Sequence, residues 1–321
     1  MVAGAAFAAD FSGYVSNSGS LLDVTAAGGE TTVTALTAPA SPYFRLNASA
    51  GGEKFSVGIQ TKFWGPSEAN EAGKVAFNSY GVNVKPVDGW TIGYNTNSLS
   101  LHYNYIWWSG AAAWWGGNGG FYTSVNAGPV TVEAKAATGW GESLYDGEAF
   151  GDVVARVAYN GGDIGNVIGI FEYNNKAVNF GAGYDNTLGG QNFYVDVVGK
   201  YNEKFNTVAA DAGVRGPITD SISYEVYVPF TVNVGESATA DLLDTSLLAN
   251  VAFGINDALD ADVTVSVNDV IASSYGFGVS PELNVHCGAL TLSLGADLSV
   301  SGLGDSTAVS FGIPLTISGG F

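Results

Sequence analysis

Residues Ser306–Phe321 read STAVSFGIPLTISGGF, and this stretch decides the fold. Val309, Phe311, Ile313, Leu315, Ile317 and Phe321 share one parity, while Ser310, Gly312, Thr316 and Ser318 share the other. A two-residue period makes a β-strand with one apolar face and one polar or small face. A strand in a soluble sandwich alternates in the same way. Chain ends in water usually fray, however, so an apolar alternation that runs to a terminal aromatic points to a face not solvated by water.

The ending resembles the closing strand of bacterial outer-membrane β-barrels of the general porin type, in which a terminal Phe follows apolar residues at every second position. The resemblance implies an all-β fold, a transmembrane antiparallel up-and-down β-barrel in the bacterial outer membrane. It further implies contact with outer-membrane lipid and recognition of the C-terminal strand, Phe321 above all, by the barrel-assembly machinery. It leaves room for a homotrimer. Two positions depart from the family pattern: Gly319 stands where a larger apolar residue is usual, and Pro314 removes a ladder donor, which predicts a bulge or an early break there.

Composition agrees with strands and disfavours helices. The longest apolar run, Met1–Ala9, is far shorter than the roughly 20 residues a spanning helix needs. A chain that crosses a bilayer as strands must close into a barrel, because an open edge would leave backbone groups unpaired in hydrocarbon. Forty-five Gly, 16 Tyr and 17 Phe against one Met suit short strands joined by turns, since Gly costs about 1 kcal/mol per helical position. A net charge of −19 excludes nucleic acid, whose phosphates need Lys and Arg clusters. It also argues against anchoring to an anionic lipid surface. Cys287 is the single cysteine and cannot form an internal disulfide. Residues 1–9 end in Ala6-Phe7-Ala8, an A-x-A cleavage pattern, so they are expected to be the remnant of a secretory signal peptide, leaving 10–321 as one barrel domain.

Along the chain, Phe11 to Val24 predicts a first strand, and the Thr- and Ala-rich segment to about Ser41 a connection with room for a small hairpin. Phe44, Leu46, Ala48 and Ala50 then alternate with Arg45, Asn47 and Ser49. Gly51-Gly52 turns the chain, and Phe55, Val57, Ile59, Thr61 and Phe63 answer on the same face. Equivalent hairpins continue to the end of the sequence. The phase slips at Asn95–Ser98, which is either a tight turn or a bulge in one strand running on through Leu99, Leu101, Tyr103, Tyr105 and Trp107. The series gives about 16 to 18 strands, even numbers being usual for bacterial barrels. A sandwich of that width would curl or split, whereas closure removes both edges.

Apolar faces begin or end in aromatics such as Phe55, Trp90, Tyr159, Tyr201 and Phe230, matching girdles at headgroup depth. The polar faces carry the scarce cations Arg45, Lys62, Lys135, Arg156, Lys200 and Arg215, accompanied by Glu133, Glu172, Asp196, Asp211 and Glu225. These eleven residues are the candidate pore lining. Most remaining acids fall in connections, such as Glu142, Asp146 and Glu148, and make the mouth acidic. The segment Ser109–Gly120, with Trp114, Trp115 and Asn118, is by resemblance the candidate for a loop that folds inward and constricts the pore. An outward loop capped by the two Trp residues is the other reading.

Chemistry-bearing constellations are absent from the local sequence. His102 reads as a lone hydrogen-bonded residue on a polar face, and His286 and Cys287, being adjacent, point to opposite faces of a strand. Asp260 and Asp262 lie near a turn without EF-hand spacing, which leaves weak Ca²⁺ binding open. No enzyme activity, cofactor or dedicated metal site is expected. The sequence predicts an outer-membrane porin for passive diffusion of small hydrated solutes and ions, mildly cation-preferring. The alternative is a secreted structural or adhesive surface β-protein, such as a surface-layer or fibre subunit.

Overall fold

In the computed structural model, residues 8–37, 43–64, 74–96, 99–101, 114–115, 119–137, 152–174, 177–202, 205–235, 243–270, 275–303 and 306–320 are described. The strands, numbered as staves of one sheet, begin with β1 (Ala8–Ala27), β2 (Tyr43–Gly52), β3 (Phe55–Trp64), β4 (Lys74–Val87), β5 (Trp90–Asn95) and β6 (Gly120–Ala127). They continue with β7 (Val130–Ala137), β8 (Asp152–Asn160), β9 (Asn166–Asn174), β10 (Ala177–Leu188), β11 (Gln191–Tyr201) and β12 (Phe205–Thr219). The last are β13 (Ile222–Gly235), β14 (Leu243–Thr245 and Leu247–Asn256), β15 (Leu259–Asn268), β16 (Tyr275–Cys287), β17 (Leu290–Gly295 and Asp297–Leu303) and β18 (Ala308–Gly320). Each stave pairs antiparallel with the next, and β18 pairs with β1 from Tyr14↔Gly320 to Ala27↔Ala308, which closes an 18-strand barrel.

The opening quoted stretch is therefore the closing stave. Pro314 produces irregularity in its neighbours and not in itself. Opposite it on one side, β1 slips register between Ser20 and Asp23; on the other, β17 breaks at Ala296, whose N–H donates to the Pro281 carbonyl. Both are the expected response to a ladder position with no donor. The first strand is longer than its pattern suggested: its second half, from Ser20, pairs with an extra hairpin arm, Glu30–Thr37.

Short turns gather at one end of the barrel with Ala8 and Gly320. Gly189 and Gly190 both have positive φ, 59° and 82°, as a two-residue type I′ hairpin requires. The remaining connections, among them 65–73, 96–119 and 138–151, join staves at the other end.

The alternation separates two solvents. Val57, Phe171, Val195, Leu294 and Ile317, drawn from staves all round the barrel, are each more than 40% exposed on the outer face. A soluble monomer rarely shows an apolar patch above a few hundred Å², and here the patch is a belt. Rings border it: Trp90, Tyr159 and Phe193 near the turn end, and Phe121, Tyr173, Tyr201 and Tyr275 near the other. Such a surface is solvated by lipid. Accordingly, Val197→Arg, in the middle of β11, is expected to destabilise the barrel refolded in vesicles by about 2–4 kcal/mol, read as a shift in the urea unfolding midpoint.

Candidate functional site

The inner faces of the staves form the site, and cross-strand register fixes its side chains into walls. On β2 and β3, Arg45 and Lys62 are direct partners. Like charges at such positions repel, and each is offset by an aromatic face. The Arg45 guanidinium carbon lies 5.4 Å from the centroid of Tyr14, and Lys62 Nζ lies 5.6 Å from that of Tyr43. Beside them Gln60 Nε2 donates to Asn47 Oδ1 at 2.8 Å, and Asn47 Nδ2 donates to Ser12 Oγ at 3.1 Å. The result is a basic, tyrosine-backed wall with amide and hydroxyl groups at its foot.

A second wall spans β6 to β10. Arg156 of β8 pairs with Glu133 of β7, both side chains largely withdrawn from solvent, and Tyr122 of β6 donates its hydroxyl to Glu133 Oε1 at 2.7 Å. Asn179 donates to Glu172 Oε2 at 2.5 Å, and Lys135 is fully buried between strand partners Tyr122 and Val154. The same inner surface also carries Val154, Ile168, Ile170 and Val198. Apolar residues on a water-facing wall require a cover.

The cover is the segment after β5. The Thr96 N–H still donates to the Tyr80 carbonyl of β4 at 2.9 Å, and Leu99 and Leu101, buried to 7% and 2% exposure, pack against those four side chains. The Ser100 carbonyl accepts a hydrogen bond from Arg156 Nε at 2.7 Å. This corrects the reading of Leu99 and Leu101 as positions on an apolar strand face after either a tight turn or a bulge: β5 ends at Asn95, and their side chains pack on an apolar inner wall instead of facing lipid. Leu99 and Ser100 pair with Trp115 and Trp114 in a separate two-residue ladder. Asn118, His102, Phe321 and the connection acids Glu142, Asp146 and Glu148 lie outside the described residues.

A third, acidic wall stands on β11 to β13, half a circuit from Arg45 and Lys62. Asp196 and Asp211 are direct cross-strand partners, each 1% exposed. Arg215 partners Glu225 on β13, and Lys200 partners Thr207. Below them Tyr194, Tyr227 and Leu248 form a small apolar cluster. Tyr194 lies over Gly213, where any Cβ would meet its ring. All eleven lining candidates thus share the inner parity, distributed over three walls.

Near the turn end, β15 to β17 bring together residues that the sequence did not associate. His286 Nε2 lies 2.5 Å from Asp260 Oδ2, and its Nδ1 lies 3.1 Å from Thr291 Oγ1. Asn284 donates to Asp260 at 2.8 Å. Register explains the cluster, since Asp260 faces Asn284 and His286 faces Thr291 across two hairpins, a relation that linear spacing hides. Cys287 is exposed on the opposite face. A hydroxyl, imidazole and carboxylate in sequence can activate a nucleophile; this one sits in a continuous ladder whose backbone N–H groups, among the described residues, are engaged with neighbouring strands and not presented to an oxyanion. With both groups more than a third exposed, the pair is a solvated one of small energetic weight. Among the described residues no three His, Cys, Asp or Glu side chains converge on a metal position.

No protein-family model matches the chain, and no curated protein sequence matches it. Solved structures do. OccK2 (OpdF) of Pseudomonas aeruginosa, in complex with glucuronate, aligns with a TM-score of 0.59 at 13% identity, covering 98% of each chain. The outer membrane protein opdK of the same organism gives 0.60 at 8% identity over 98% of both. An anion-selective porin from Comamonas acidovorans gives 0.62 at 9% identity, over 98% of this chain and all of that one. At such identities the likeness is one of fold.

Proposed function

We propose that this barrel, whose fold is that of the outer-membrane porins, is itself a porin: it lies in a bacterial outer membrane and lets small hydrated solutes diffuse passively. The observation that carries this is the segregation of side chains, apolar outward round the whole circuit and charged or amide-bearing inward. No step of bond making is needed, and none is proposed; a wet, polar lumen closed by a lipid-facing sheet is sufficient for conduction. The exposed apolar belt disfavours the secreted structural or adhesive alternative. In this reading the short turns face the periplasm, the longer connections face outside, and Phe321 serves as the assembly address. Purified protein added to a planar bilayer should insert in discrete conductance steps. Full dispersal in detergent-free buffer, with no conductance, overturns the proposal.

Solute size is assigned to the segment Leu99–Leu101 with its Trp114–Trp115 partner, which occupies the lumen beside the second wall. Charge preference is assigned to the excess of acids. The whole chain carries 30 Asp and Glu against 11 Lys and Arg, and the inner faces of β15 to β17 add Asp260, Asp262, Glu282 and Asp297 to the third wall. Selectivity is not a property of the fold, given that the Comamonas acidovorans structure is an anion-selective porin; it follows from the charges each barrel carries. A reversal potential of cation-selective sign is expected in a KCl gradient at low salt, shrinking toward 1 M, where the screening length falls to about 3 Å. Anion selectivity at low salt would refute this part and leave the porin reading intact.

A further inference from the structure

We infer that water and solutes cross the barrel on one side only, along the sector that runs from β15 through β18 and β1 to β4. Asp262, Glu282 and Asp297, with Arg45 and Lys62, set the ion preference of that path, which presupposes the porin reading. Inner-facing side chains are not equally wet. Among the described residues, every buried side chain apart from Ser293 belongs to β5–β14 or to the segment Leu99–Leu101.

An 18-strand barrel is too wide for opposite walls to bury one another, and barrels of this size keep an aqueous channel. Yet Val154 and Ala209 are 0% exposed, and Asp196 and Asp211 are 1% exposed, although all four face inward. Side chains so placed do not meet lumen water. Part of their cover is described: Leu99 and Leu101 pack on Val154, Ile168, Ile170 and Val198, and the Tyr194 ring lies over Gly213. Asp196 and Asp211 therefore belong to the packed side and do not touch a permeating ion.

From β15 round to β4 the inner charges stay wet. Asp262 and Glu282 are direct cross-strand partners, each half-buried, and Asp297 on β17 is exposed. Past the inner face of β18, whose positions Ser310, Gly312, Pro314, Thr316 and Ser318 carry no charge, and past β1 stand Arg45 and Lys62, both half-buried. Asp260 joins the acids at the turn end, beside His286. A charge acts on passing ions within about 8 Å at 0.15 M salt, so the groups bordering the water outweigh those behind packed protein. Acids exceed cations among them, which gives the path its cation preference.

The test asks which side is wet. In a Cys287→Ala background an added thiol is unique, and Ser18→Cys, Ser299→Cys, Val154→Cys and Thr231→Cys each place one on an inner face. Full-length barrel in detergent, its fold checked by heat-modifiable migration, is exposed to a positively charged thiosulfonate reagent and labelling is followed by intact mass. Ser18→Cys and Ser299→Cys should label readily, and their labelled channels should conduct less. Val154→Cys and Thr231→Cys should label at least roughly tenfold more slowly, since their thiols must wait for local opening. In a planar bilayer, Asp262→Asn with Asp297→Asn should roughly halve the K⁺-over-Cl⁻ permeability ratio at low salt, and Arg45→Met should raise it. Labelling of Val154→Cys or Thr231→Cys as fast as Ser299→Cys overturns the inference, as does protection of Ser18→Cys and Ser299→Cys. Permeability ratios unchanged in both charge variants overturn the assignment of ion preference. A wild type that never conducts refutes the porin reading instead, and labelling still decides which side holds water.

Discussion

The Leu99→Ala, Leu101→Ala double variant is expected to conduct markedly more current per channel than the wild type and to admit larger sugars in a vesicle-swelling assay. Both side chains are buried against Val154, Ile168, Ile170 and Val198. Each Leu→Ala change at such a site removes about 2–5 kcal/mol, and among the described residues that loss falls on a segment with two other attachments. Those described are the Arg156 bond to the Ser100 carbonyl and the short ladder with Trp114 and Trp115. A charge-assisted hydrogen bond contributes about 1.5–3 kcal/mol, too little to hold the segment alone. It should therefore leave the wall while the staves, whose pairing it does not share, stay closed. Unchanged heat-modifiable migration would show the barrel intact. If conductance and solute cut-off both stay at wild-type values, the segment is not the constriction.

The barrel itself was legible in the sequence because a strand facing two solvents must alternate, and alternation survives in single positions such as Val195, Asp196, Val197 and Val198. The same series shows the limit. Val198 is inward and buried, as are Val154, Ile168 and Ile170, so the rule that apolar means outward fails where the lumen contains packed protein. Leu99 and Leu101 were misplaced for the matching reason: an alternating pair of Leu residues looks alike whether it meets lipid or the inner wall. The lining charges were readable as polar-face residues, but their grouping was not. Asp260 with His286, and Arg45 with Tyr14, come together through register between neighbouring staves whose connecting segments are too long to fix it from spacing alone, and register is set by the turns and bulges. The exact strand count depended on Asn95–Ser98: β5 ends at Asn95, and the stave that pairs with it is β6, from Gly120.

Arg156→Met should destabilise the barrel by about 3–5 kcal/mol, the cost of stranding one member of a buried ion pair. The Arg156 and Glu133 side chains are only 19% and 13% exposed, so solvent screening offers little relief, unlike the exposed Lys54–Asp88 pair that links the β2–β3 and β4–β5 turns, whose loss should not be measurable. Among the described residues, Arg156→Met leaves Glu133 with the Tyr122 hydroxyl alone and deprives the Ser100 carbonyl of its donor. Glu133→Gln should cost less, because a neutral amide is cheaper to leave half-satisfied than a carboxylate, and Arg156 keeps Ser100. The pair of changes together should recover part of the Arg156→Met loss, giving a coupling energy of about 0.5–3 kcal/mol from urea midpoints of the four proteins. Because Arg156 also ties down the inward segment, Arg156→Met alone should raise open-channel noise, and Glu133→Gln should not. Strictly additive midpoints would mean that lumen water already solvates the pair, making it equivalent to the exposed His286–Asp260 contact and removing it as the strut between the second wall and the segment that narrows the pore.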